Sequence, residues 1–127
     1  MEQRDPLPRA REVAKLLIIN AHRYAKEREK DPLPYRFNSV SLRLIAGRST
    51  LRASFVNKVY DNLKGFGWIL IEIDDKEYAI IPVERTEMWA KLGAKRVKTL
   101  ALDNDIDEID RAFKAEVTPP ATLDFDL

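Results

Sequence analysis

An α+β domain, with helices leading into a β-hairpin, is what residues 9–83 predict. Three observations predict it. Apolar residues recur at helical spacing in two stretches, Val13-Leu17-Ala21-Tyr24 and Phe55-Val59-Leu63. They alternate at strand spacing in a third, Ile69-Ile71-Ile73, which places those three on one strand face. Proline and glycine fall between these stretches, at Pro32, Pro34, Gly47 and Gly65, and so mark where one element stops and the next begins.

Taken in order, residues 1–8 form a tail, because Pro6 and Pro8 block regular structure. From Arg9 a helix follows, with Val13, Leu17, Ala21 and Tyr24 facing the core and Leu16, Ile18 and Ile19 widening the buried stripe. It ends before the segment Lys30-Asp31-Pro32-Leu33-Pro34, which cannot continue a helix. Ser39 or Ser41 then caps a short helix lined by Leu42, Ile45 and Ala46 and stopped at Gly47. A longer helix carries Phe55, Val59 and Leu63 with Val56 and Tyr60 beside them, and Gly65 is placed for a left-handed C-terminal cap with Phe66 folding back. The hairpin turns on Asp74-Asp75-Lys76. Its return strand carries Tyr78, Ile80 and Val83, and Pro82 makes that strand an edge near its end.

Beyond the hairpin, Glu84–Lys95 predicts a short helix with Met88, Trp89 and Leu92 inward. Arg96–Leu102 is open between strand and coil. Residues 103–116 predict a last helix with Ile106, Ile109 and Phe113 on one face. The expected organisation is therefore one domain over residues 9–116 and a C-terminal acidic tail over 117–127.

The chain has 127 residues, no cysteine and one histidine. That length can bury a core without disulfide or metal staples, and the absence of thiols excludes a thiolate zinc site and fits a reducing cytoplasm. The charged N-terminus lacks an apolar run behind it, so no signal peptide is expected, and no stretch approaches the ~20 apolar residues of a membrane span. Net charge is +1, but its distribution is uneven: residues 1–64 hold 14 Lys and Arg against 7 Asp and Glu, and residues 65–127 hold 8 against 14. Within residues 36–64 six cations stand against Asp61 alone. Such a local excess points to a polyanionic partner.

The segment Ser41–Ile73, read as short helix, turn, longer helix and hairpin, resembles the winged helix-turn-helix domain of DNA-binding proteins. Leu42, Ile45 and Ala46 match its second helix, Val56, Val59, Tyr60 and Leu63 its recognition helix, and Gly67-Trp68-Ile69 the passage into the wing. The resemblance spans residues 9–83. It implies a three-helix core with a β-hairpin wing, followed here by one or two further helices. It also implies a homodimeric, cytoplasmic binder of double-stranded DNA without catalytic activity, cofactor or metal: a small transcriptional regulator, or a replication or partition factor of a plasmid or phage. Such a recognition helix, ~10–12 Å across, enters a major groove about 12 Å wide. The candidate DNA-binding residues are Arg36, Arg43, Arg48, Ser49, Arg52, Ser54, Asn57 and Lys58. Arg and Asn suit bidentate contacts to guanine and adenine, Ser and Lys suit phosphates. The helix starts at Ser49 or at Ser54.

One feature departs from the pattern. The wing tip, Asp74-Asp75-Lys76 between Glu72 and Glu77, carries the sign that phosphates repel. The alternative is a winged-helix module that binds protein and leaves DNA alone. Residues 103–114 imitate a calcium loop only in composition: its sixth and twelfth positions are Glu108 and Lys114, where Gly and a bidentate Glu are required. Asn104 or Asp105 reads instead as a helix cap. Asp61 with Asp74-x-Lys76 imitates the acidic cluster of magnesium nucleases, but the residues belong to a helix and a turn where that chemistry uses adjoining strands.

Overall fold

The computed structural model describes residues 7–117. Of the two expected tails, only Leu7, Pro8 and Val117 fall among them. The chain divides into a unit that ends at Trp89 and a unit that begins at Ala90, so the single expected span 9–116 comprises two units.

In the first unit, α1 (Ala10–Glu27), β1 (Tyr35–Asn38), α2 (Ser39–Ala46), α3 (Ala53–Gly65), β2 (Trp68–Asp74) and β3 (Glu77–Pro82) follow one another. The fold class is α+β, with one antiparallel sheet in the order β1-β3-β2. Leu17 of α1, Leu42 of α2, Leu63 of α3 and Ile80 of β3 are fully buried where the three helices meet one face of the sheet.

The inner stripe of α1 is Ala10, Val13, Ala14, Leu17, Ala21 and Ala25. Its alanines let the helix axes approach closely, and α1 packs chiefly on α3. Tyr24 was expected on that stripe but is half exposed, its ring beneath the Arg28 guanidinium at 4.6 Å. Leu16 and Ile19 also point outward, because at 100° per residue they lie off the stripe centred on Val13, Leu17 and Ala21. The helix ends at Glu27, and just past its C-cap Arg28 the left-handed φ of 56° at Glu29 turns the chain so that the Lys30 N–H reaches Ala25 O at 2.9 Å.

Strand β1 has no counterpart in the sequence reading. Tyr35 and Phe37 pack on the core while Arg36 and Asn38 face out, and Tyr35 Oη donates to Leu17 O at 2.8 Å, tying the strand to α1. Burial pushes the Tyr35 phenol up to about 12, against a small opposing effect of the Asn20 side chain. The neutral phenol is thus favoured in the folded state. Stability is unaffected below pH ~10, the unfolded value, and falls as pH rises toward 12, because the unfolded chain loses that proton first. A spectrophotometric titration should show Tyr35 ionising last among the tyrosines, and Tyr35→Phe should remove that step.

In the hairpin, Trp68 and Leu70 point to the core opposite Pro82 and Ile80, whereas Ile69, Ile71 and Ile73 lie on or toward the outer face. The run Trp68-Ile69-Leu70-Ile71 is apolar on both faces, so alternation alone does not say which face is buried. Neither turn residue, Asp75 nor Lys76, has positive φ, so the turn is not one of the primed hairpin types; a bulge between Glu72 and Asp74 accommodates it. β3 is the central strand, yet Pro82 lies past the last β1 partner, Tyr35↔Ile80. Its missing N–H therefore costs no ladder bond. Val83 does not continue the strand but opens a 3-10 turn, Val83–Met88.

The helix expected over residues 84–95 is absent. Met88 is 90% exposed, and Trp89 and Leu92 are exposed too. In the second unit a 3-10 turn (Lys95–Val97) leads into α4 (Lys98–Asp103) and α5 (Ile106–Glu116), so the ambiguous segment 96–102 is helical. Asp105 caps α5, its Oδ1 accepting from the Asp107 and Glu108 N–H groups at 3.1 and 3.3 Å. Ile106, Ile109 and Phe113 share a face of α5 as expected, but none of them is buried.

Candidate nucleic-acid interface

The candidate residues sit on β1, on α2, on the connection 47–52 and on α3. Asn38 rather than a serine caps α2: its side chain accepts the Ser41 N–H at 2.8 Å. Gly47 closes the helix in the left-handed region, φ 68°, with Gly47 N–H on Leu44 O and Arg48 N–H on Arg43 O, a Schellman arrangement. A Cβ at Gly47 would lie 3.2 Å from Leu7 Cδ2. Gly47→Ala should therefore cost about 1 kcal/mol, measurable as a lower urea midpoint.

Arg48 is built into this corner. Its Nη1 donates to Pro8 O at 2.7 Å and Ala46 O at 2.9 Å, and its guanidinium lies 4.0 Å over the Phe55 ring. Arg48 thus pins the start of α1 to the connection between α2 and α3. Arg36 pairs with Glu77 at 3.1 Å across the β1–β3 ladder. Arg43 is half-buried and donates to Ser39 Oγ at 3.4 Å. It also lies close enough to Tyr78 to oppose the rise of that phenol, which burial and the nearby Glu72 and Asp75 produce.

Helix α3 begins at Ala53, so Arg52 is its N-cap and Ser49 lies in the connection. Leu51 packs on the core from that connection, which sets where the helix can start. No side chain caps the N-terminus and no acid stands in the first turn. Val56, Val59 and Leu63 face inward. With those three inside, the 3.6-residue period places Ser54, Asn57, Lys58 and Asp61 on the opposite side, and all four are exposed. Asn57 borders a depression shared with Tyr60, Leu70 and Glu72 on the sheet side. Lys58 borders a groove with Arg9, Arg11 and Phe55 on the α1 side.

Structure and sequence reading therefore divide the eight candidates. Arg52, Ser54, Asn57 and Lys58 come together on the exposed start of α3, with Ser49 on the connection before it. Arg36, Arg43 and Arg48 are engaged with Glu77, Ser39 and Pro8. Among the described residues, Arg52, Lys58 and Lys64 make no ion pair. The uncapped helix start adds a partial positive charge of ~0.5 to this cationic end.

The hairpin tip does not stand free. The Ser39 N–H donates to Lys76 O at 2.8 Å, and Asp74 Oδ1 accepts the Lys76 N–H. The acidic turn is thereby tied to the first residue of α2.

No protein-family model, no curated protein and no solved structure matches the chain.

Proposed function

We propose that the protein is a sequence-specific binder of double-stranded DNA with a winged-helix arrangement, working as a cytoplasmic homodimer and acting by binding rather than by catalysis. The order helix, strand, helix, helix, hairpin, with β1 beside β3, supports the winged-helix reading. No helix among the described residues is long and apolar enough to cross a membrane. A small transcriptional regulator, or a replication or partition factor of a plasmid or phage, is the kind of protein this describes.

One observation carries the reading: the exposed start of α3, where Arg52, Ser54, Asn57 and Lys58 surround an uncapped, acid-free helix end. A helix entering the major groove by its N-terminus puts backbone N–H groups and Lys58 on phosphates and offers Arg52 and Asn57 to base edges. Arg48 acts as a positioning residue that holds the connection in place.

An anisotropy titration with labelled mixed-sequence duplexes at two salt concentrations tests this. The two cations without an ion pair at the start of α3, Arg52 and Lys58, predict a log–log salt slope of roughly −2 per protomer. Absence of binding at low salt excludes the proposal. The acidic hairpin tip favours a second reading, a module that binds a protein partner. Under that reading no duplex binds at any salt.

A further inference from the structure

An open cleft of about 1090 Å³ lies in the first unit where the end of α1, the start of β2 and the turn after β3 meet. Its lining includes Phe66, the edge of the core residue Trp68, and three acids, Asp31, Glu84 and Glu87. Two cationic or titratable neighbours also face it. Arg85 is already donating to Pro32 O at 3.2 Å, and His22 is set against the Trp68 ring at 6.5 Å between centroids. The cleft thus mixes polar and apolar surface, and three carboxylates stand against Arg85 in its lining, while Arg11 and Lys15 lie 6.0 and 5.9 Å from the Phe66 ring centre.

The chain contains a segment of the complementary kind immediately beyond it. Residues 91–98, Lys91-Leu92-Gly93-Ala94-Lys95-Arg96-Val97-Lys98, hold four cations and no acid. Leu92 and Val97 are exposed in the same stretch, 77% and 53% respectively. Met88, which lines the cleft, precedes Lys91 by three residues.

We propose that the cleft receives the basic segment 91–98 of a second copy of this chain, in a two-fold exchange whose axis passes near Trp89. The proposal rests on the homodimer reading and names its interface. The complementarity is twofold: four cations meet three carboxylates, and Leu92 and Val97 meet Phe66, Val83 and Met88. Residues 91–94, ahead of the 3-10 turn, span up to about 13–14 Å when extended. A two-fold exchange makes the contact twice, which multiplies its effect. It also covers Met88 and Trp89, a Met-Trp pair of the sort enriched at interface cores.

The test is sedimentation velocity on the full chain without DNA. The wild type should be a dimer at micromolar concentration. Glu84→Lys with Glu87→Lys should raise the dimer dissociation constant at least tenfold. Lys91→Glu with Lys95→Glu should do the same. All four positions are exposed, so thermal midpoints should hold, and the Gln and Ala versions of the two pairs should give smaller effects in the same order. The decisive measurement mixes the two reversed variants: each then offers the other an opposite charge, and dimers should return. A wild type that stays monomeric, a dimer indifferent to both reversals, or reversed variants that fail to recombine would each overturn the proposal. A monomer that still binds duplex would overturn it while leaving the DNA-binding reading standing.

Discussion

Reversing Arg52 and Lys58 to glutamate together is expected to weaken duplex binding about a hundredfold at physiological salt, roughly 2.7 kcal/mol. Both residues are exposed and make no ion pair among the described residues, so the change should leave the urea midpoint close to that of the wild type. The Lys58 reversal removes an attraction to a phosphate and the Arg52 reversal a contact to a base edge, and each adds a negative charge that the surrounding phosphates repel. The salt slope should flatten along with the affinity. Asn57→Ala should behave differently. A lost base contact costs ~1–3 kcal/mol on the preferred sequence, little on others, and leaves the slope unchanged. Arg48→Ala should lower stability as well as binding, because the guanidinium is bonded to Pro8 O and Ala46 O. If the Arg52/Lys58 reversal leaves affinity untouched, α3 is not the contact surface.

The second large effect concerns the core. Leu63→Ala should destabilise the first unit by roughly 2–5 kcal/mol, seen as a lower urea midpoint with little change in slope. Leu63 is fully buried on the inward face of α3, in one core cluster with Leu17, Leu42 and Ile80. The cavity would open beside the helix that carries the candidate site. A loss of this size is a large share of the ~5–15 kcal/mol typical of a domain. Asp61→Ala on the opposite face of α3 should change stability by no more than about 0.5 kcal/mol. Equal effects at the two positions would mean that α3 is rotated about its axis.

The three helices and the hairpin of the first unit were legible because each carries its period over two turns or several alternations. The rest was hidden for identifiable reasons. β1 is four residues long, squeezed between Pro34 and the Asn38 cap, with only Tyr35 and Phe37 to show its alternation. The inner face of β2 was hidden because Trp68, Ile69, Leu70 and Ile71 are apolar on both sides. Met88, Trp89 and Leu92 read as a buried helix face because large apolar residues are usually inside, but Met88 and Trp89 end the first unit while Leu92 belongs to the second, all three are exposed, and a short isolated helix is marginal. In the candidate site, Ser54, Asn57 and Lys58 followed from helical geometry alone. The start of the helix did not, since Leu51, a residue of the connection, anchors it. The engagement of Arg48 was invisible for a different reason: its partner Pro8 lies 40 residues away in the chain.

The bond between the Ser39 N–H and Lys76 O has a consequence for motion. A hairpin that ends in solvent can bend toward a neighbouring groove and lengthen the stretch of DNA its protein shields. Here the tip and the first turn of α2 must open together. Hydrogen exchange at Ser39 should therefore report hairpin opening, and the two elements should exchange at one rate. If α3 is the reading element, each protomer covers a single groove face. Nuclease protection should then be short per protomer, and a complete site should consist of two separated half-sites.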